Sequence, residues 1–183
     1  MASRAEYESY LNLPQVRATL DTIAWAEGAD YNVMFGGGIF SGDQHPNDCI
    51  PFRDTCSTAA GRYQFLYRTW RGLGLPDFSP RNQDIGALML IQQRGALDEI
   101  LAGNFEAAMR SGALGREWAS FPFSPYGQTI RTPEAVMNYY NAALAAYGGQ
   151  VQGNYTPPTG GTGSETMLLY GLGFVLLFLV IDN

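Results

Sequence analysis

The sequence predicts an α+β fold in which helices dominate, followed by a flexible linker and an apolar C-terminal run. Three observations carry this. Stretches with helix starts, stops and a single apolar stripe fill residues 14–28 and again 58–148. Between them, residues 30–49 (DYNVMFGGGIFSGDQHPNDC) alternate short apolar pairs with glycine, aspartate and proline, the mark of a small hairpin-rich lobe. From residue 149 the composition shifts to glycine, threonine and proline, and then to an uncharged apolar run.

The first helix is expected to start at Pro14, because proline is preorganised for the first helical position, and its buried stripe reads Val16, Leu20, Ile23 and Ala24. Glu27 continues that stripe, and Gly28 directly after it is a typical helix stop. The Glu27 carboxylate therefore falls in the last turn, where the helix dipole disfavours negative charge, and partial burial would push its pKa upward too. A carboxylic acid that keeps its proton near neutral pH is what a general acid needs. By pattern alone the plainer alternative, a partly exposed glutamate that merely ends a helix, is favoured.

After the hairpin lobe, CIPFRDTC places Cys49 and Cys56 at the ends of a short loop that a disulfide can close, the alternative being two reduced thiols. Closure would mean that the folded chain meets an oxidising compartment. The pattern then predicts a helix over Thr58–Trp70 (TAAGRYQFLYRTW), with Tyr63, Leu66 and Trp70 on one stripe. Ser79 followed by Pro80 begins another (SPRNQDIGALMLIQQRG), with Asp84 expected to steady its start. Short helices follow in ALDEILAG and NFEAAMRSG, and a last one in TPEAVMNYYNAALAAYGG, capped by Thr132, opened by Pro133 and stopped at Gly148. Trp25 and Trp118 are assigned to the core.

Composition excludes several chemistries. All eleven basic residues are arginine, which removes a Walker-type phosphate loop and any lysine Schiff base. One histidine, His45, and two cysteines do not make the usual zinc constellations or a convincing Ser-His-Asp set, so neither a metal nor another cofactor is expected. The net charge of -6 argues against a nucleic-acid partner. Carboxylate chemistry remains.

The chain divides into a domain over residues 1–148, a linker over 149–166 and an apolar tail over 167–183. The linker (GQVQGNYTPPTGGTGSET) has a root-mean-square reach of roughly 25 Å. The run over residues 167–181 would be about 22 Å long as a helix, short of the roughly 30 Å bilayer core. It suits a short tail anchor in a membrane; burial against other proteins of a larger assembly, or against its own domain, are the alternatives. The start, MASRAEYESYLNLPQ, has neither the basic region nor the apolar core of a secretory signal.

Seven pieces in order, AWAEG (24–28), GGGIF with HP (36–40, 45–46), STAAGRYQ (57–64), GLPDFSPRNQD (74–84), QRGAL (93–97), WASFP (118–122) and YGQ (126–128), resemble the lambda-type endolysins of glycoside hydrolase family 104. The likeness covers about residues 16–147. It implies a two-lobed lysozyme-like domain and peptidoglycan glycan strands as substrate. It also implies that Glu27 is the catalytic acid of a lytic transglycosylase, which displaces the plainer reading of that residue. A conventional glycosidase needs a second carboxylate roughly 5 to 10 Å away; Asp30, Asp43, Asp48 and Asp54 are the candidates, Asp43 foremost, with solvated turn residues as the alternative for each. Tyr63, Gln64, Tyr126 and Gln128 match family positions expected on the cleft wall. For Tyr63 the alternative is core packing, and for Gln64 it is an amide that satisfies hairpin backbone groups. The cysteine-flanked loop, the linker and the tail depart from the lambda-type pattern. With such a tail the enzyme is expected to be virion-associated or membrane-anchored, through membrane or virion proteins, and to act in the bacterial periplasm. A freely diffusing lysis enzyme, a hydrolytic muramidase and a non-catalytic glycan-binding protein are the alternatives.

Overall fold

The computed structural model describes residues 1–52, 54–127 and 130–150. The tail, most of the linker and Gln128 lie outside the described residues. In chain order the elements are α1 (Arg4–Tyr10), α2 (Pro14–Glu27), a single 3-10 turn (Phe35–Gly37), β1 (Ile50–Phe52), β2 (Thr55–Ser57), α3 (Tyr67–Leu73), α4 (Pro80–Gln93), α5 (Leu97–Leu101), α6 (Phe105–Arg110) and α7 (Pro133–Ala146). Helix dominates, and a two-stranded antiparallel sheet is the β component among the described residues.

The centre of the fold is α2. Its predicted stripe is buried, and so are Ala18, Thr19, Asp21, Thr22 and Ala26, so the helix is enclosed on nearly every side. Enclosure is tolerated because the Thr19 and Thr22 hydroxyls donate back to the carbonyls of Gln15 and Ala18, at 2.8 and 2.6 Å. α7 packs along α2, with Tyr139 stacked on Trp25 at 4.7 Å between ring centres. One residue further on, Tyr140 stacks on Phe105 of α6 at 3.9 Å, which fixes α6 to the same layer. Trp25 is therefore half-buried between helices rather than in the core, whereas Trp118 is 3 % exposed.

α1 precedes Pro14, where the apolar pattern places the first helix. Ser3 and Glu6 form a reciprocal capping box, and Tyr7 is buried against α4 with its hydroxyl donating to Gln92. The S-x-x-E signature was present in the sequence. The short apolar content, chiefly Tyr7 and Leu11, concealed the helix.

The expected helix over Thr58–Trp70 is corrected: α3 begins only at Tyr67. Before it, Ala60 bridges both Met34 and Phe65, and Gly61 and Gln64 adopt left-handed backbone at φ 76° and 49°. A Cβ on Gly61 would lie 2.3 Å from Gln83 Oε1 and 2.7 Å from Phe78, so α4 and the preceding loop press directly on this turn. Tertiary packing overrides the helical periodicity. The solitary histidine supports the same turn. His45 Nε2 lies 2.9 Å from the Phe65 carbonyl and Nδ1 accepts from the Asn47 N–H, and burial lowers its pKa, so the ring is a neutral structural link.

In the hairpin, Ile50 pairs with Ser57, Pro51 with Cys56 and Phe52 with Thr55, and Cys49 is bonded to Cys56 with Cα atoms 5.3 Å apart. Phe52 meets Phe35 edge-on at 5.5 Å, joining the hairpin to the 3-10 turn. A two-stranded hairpin has little stability of its own, so the covalent closure should matter. Reduction is expected to destabilise the native chain by about 2 kcal/mol, from the loop entropy released to the unfolded state. Chemical denaturation with and without a phosphine reductant measures it.

Candidate active site

Glu27 ends α2 where the chain passes from the helical body into the hairpin lobe. Gly28 terminates the helix in the left-handed region at φ 63°, which glycine adopts without the steric penalty of a side chain, and its N–H caps the Trp25 carbonyl at 3.2 Å. Glu27 itself is 3 % exposed. The Ser120 hydroxyl donates to Glu27 Oε1. Ser120 is held in turn: its carbonyl accepts from Arg131 N–H at 2.8 Å, and two residues earlier the Trp118 indole donates to the Tyr63 carbonyl at 3.2 Å.

These surroundings keep a proton on Glu27. Burial pushes its pKa up from the ordinary 4.5 to about 7, while hydrogen bonds from the Ser120 side chain and main chain, and the Arg131 charge, restrain the rise. Among the described residues, the charge acting on Glu27 is that of the Arg131 guanidinium. The group can therefore donate a proton at neutral pH and exist as a carboxylate a short interval later. Removing the Ser120 hydroxyl should favour the protonated form further. For Ser120→Ala the alkaline limb of the pH–rate profile is expected to move up by about half a unit, read from initial rates on purified peptidoglycan between pH 5 and 9.

The other sequence candidates are distributed differently. Asp43 is exposed; its carbonyl accepts from Phe78 N–H at 2.5 Å and its carboxylate accepts from the Gln44 amide at 3.4 Å. Asp30, Asp48 and Asp54 are exposed as well, Asp30 accepting from the Tyr31 N–H in a local turn. Tyr63 is 1 % exposed with its hydroxyl on Asp84 at 2.5 Å, a core position that offers a sugar no surface. The Gln64 amide donates to the carbonyls of Val33 and Gly61 at 3.1 and 2.9 Å, the backbone-satisfying alternative. Tyr126 is 36 % exposed, and its hydroxyl donates to the Arg116 carbonyl at 2.9 Å. Gln128 lies outside the described residues. Among the described residues no acidic, histidine or cysteine cluster could hold a metal.

Sequence reasoning missed a buried ionic network that joins the lobes. Arg62 Nη2 pairs with Asp21 at 2.7 Å, and its Nη1 meets the hydroxyls of Tyr63 and Tyr31 at 3.2 and 3.5 Å. Asp84 accepts from both tyrosines and pairs with Arg17 at 3.1 Å, while Tyr147 donates to Asp21 at 2.6 Å. Asp84 thus links α4 to α2 and the lobe rather than steadying its own helix start. Spacing in the sequence gives no hint of contacts between α2, the 61–64 turn, α4 and the end of α7.

The lysozyme of bacteriophage lambda complexed with a chitohexasaccharide is similar in structure, with a TM-score of 0.67 and 36 % identity over 76 % of this chain and 97 % of that one. A second structure of lambda lysozyme gives 0.62 and 35 % at the same coverage. A lysozyme-like body with one buried carboxylic acid at the end of its central helix defines a peptidoglycan-cleaving enzyme of the lysozyme type. The Endolysin family model matches residues 17–151. The endolysin of Escherichia phage lambda is 37 % identical over 145 residues, covering 70 % of this chain and 90 % of that protein, and the endolysin of Escherichia phage P2 is 45 % identical over 91 residues, covering 48 % and 54 %. The chain belongs to the endolysin family.

Proposed function

We propose that the protein is a lytic transglycosylase that cleaves the bond between N-acetylmuramic acid and N-acetylglucosamine in peptidoglycan. Glu27 protonates the glycosidic oxygen as the bond to the muramyl C1 breaks, then as carboxylate takes the proton of the muramyl C6 hydroxyl, whose oxygen closes on C1. The product is a 1,6-anhydro end, and no water is consumed. One observation carries this reading: Glu27 is 3 % exposed and accepts from the Ser120 hydroxyl, and among the described residues the charge acting on it is a cation rather than a second carboxylate, a setting for an acid that works twice rather than for one half of a carboxylate pair. That a relative's structure holds a chitohexasaccharide supports a glycan substrate.

Mass spectrometry of digested peptidoglycan tests the chemistry. Muramyl ends about 18 Da lighter than reducing ends are expected. Reducing ends as the main product would instead assign a hydrolytic muramidase and reopen the search for a second carboxylate, starting at Asp43.

We propose further that the enzyme is tethered, in the virion or at a membrane, and opens the wall during genome entry. The support is compositional: a linker followed by the apolar run 167–181, both outside the described residues but for residues 149 and 150. Among the described residues no helix is long and apolar enough to cross a membrane. Purified virions extracted with detergent and probed for this chain should release it. Its absence from particles and abundance in late lysates would assign it to lysis.

A further inference from the structure

The segment that carries Ser120 continues into a loop closed at its own base. The Arg131 N–H donates to the Ser120 carbonyl at 2.8 Å, so the chain leaves and returns at the residue whose hydroxyl donates to Glu27. Three residues into that loop, Phe123 is 45 % exposed and takes left-handed backbone at φ 61°. A bulky side chain is strained in that region, and such residues gather at functional sites. Backbone packing holds the turn there: a Cβ on Gly115 would lie 2.6 Å from the Pro122 carbonyl oxygen and 2.8 Å from the Ser124 nitrogen. Glycine would take this conformation freely, yet an exposed aromatic ring stands in its place. Beside it is Arg116. A Cβ on Gly112 would meet both residues, Arg116 Nη1 at 3.5 Å and Phe123 Cβ at 3.8 Å, so guanidinium and ring start from one side of that glycine. Tyr126 ties the loop to the same arginine, its hydroxyl donating to the Arg116 carbonyl at 2.9 Å. The Arg116 side chain is exposed and donates to the Ser111 carbonyl at 3.4 Å. Arg17, Arg62, Arg94 and Arg110 each pair with a carboxylate, whereas among the described residues none pairs with Arg116.

We propose that Arg116 and Phe123 form a subsite for the acidic peptide stem of peptidoglycan, the guanidinium pairing with a stem carboxylate while the ring gives the stem's aliphatic parts an apolar surface. The proposal rests on the reading of the protein as an enzyme that cleaves the muramyl bond, and it names the part of the substrate this face takes. The chain itself limits the distance: three residues reach at most about 11 Å, so Phe123 stands within that span of the residue that touches Glu27. In the substrate the stem hangs from the same muramyl ring whose C1 is the reacting atom, so the peptide beside a cleaved bond falls in this range. A planar guanidinium matches a carboxylate with two parallel N–H donors. The net charge of -6 opposes anions over the surface at large, so an unpaired cation at this point selects where one is taken.

The test compares kcat/KM of the full chain on two substrates, peptide-bearing glycan strands and the same strands stripped of their stems by an amidase. The native enzyme is expected to prefer the peptide-bearing strands, and Arg116→Gln to lose about tenfold of that preference through KM. Arg116→Lys should fall between the two, because an ammonium keeps the charge without the fork. Phe123→Gly should lower the preference by about threefold while the melting temperature holds or rises, since glycine takes the left-handed backbone without strain. A preference ratio that Arg116→Gln leaves unmoved, including one in which both substrates lose activity equally, overturns the proposal, and so does a Phe123→Gly variant with the native preference. A native enzyme that cleaves both substrates equally removes the subsite alone. One that cleaves neither at the muramyl bond removes the functional reading, and the subsite with it.

Discussion

Glu27→Gln is expected to lower turnover on peptidoglycan by about 10³-fold while leaving the fold intact. Glutamine fills the same space and can still accept from the Ser120 hydroxyl, but it has no proton to give to a leaving oxygen. The same change should raise stability at alkaline pH. Glu27 keeps its proton in the folded chain up to about 7, whereas a solvated glutamate loses it near 4.5. Below the lower value both states are protonated and the residue has no effect. As pH rises from about 4.5 to about 7, the unfolded chain releases a proton that the folded chain retains, so native stability falls, by about 3 kcal/mol in all. Glutamine does not titrate, and the variant should escape that loss. Denaturant midpoints at pH 4 and pH 8 compare the two: a gap that opens only at the higher pH is expected, and equal midpoints at both would contradict burial of the acid.

The second large effect is structural. Arg62→Met should destabilise the protein by about 3–5 kcal/mol, because it leaves Asp21, whose side chain is 8 % exposed, as a buried charge without its guanidinium, and strips one partner from each of Tyr31 and Tyr63. For a domain of this size the melting temperature should fall by about 10 °C. The contrast is the pair Arg110–Glu106, whose side chains are 59 % and 48 % exposed; removing it should change stability by less than about 0.5 kcal/mol. Thermal melts of the two variants side by side check both. The network joins α2, α4, the end of α7 and the turn at 61–64, so its loss should also loosen the lobes relative to one another, and activity should fall before the protein unfolds.

What could be read from the chain, and what could not, follows the range of the forces involved. α2, α4 and α7 carry local instructions, namely a proline at the first helical position, a cap such as Thr132 and a stripe such as Val16, Leu20 and Ile23, and each begins where those instructions place it. The Thr58–Trp70 stretch carries a helical stripe as well, yet Gly61 and Gln64 take left-handed backbone there because Gln83 and Phe78, distant in sequence, occupy the space a helix would need. The direction of the Glu27 shift was legible, since both the helix terminus and the apolar stripe are local. Ser120 and Arg131 were not, for no periodicity joins them to residue 27. Tyr63 shows the same limit: a family position names the residue, while its 1 % exposure and its bond to Asp84 decide what it can touch.

The most direct measurement is a ¹³C NMR titration of the Glu27 carboxyl in the full chain, assigned by its disappearance in Glu27→Gln. A midpoint near 7 is expected from a group shielded by burial and steadied by Ser120 and Arg131. A midpoint near 4.5, that of a glutamate in open water, would contradict a poised acid at the end of α2 and with it the proposed catalytic role of Glu27.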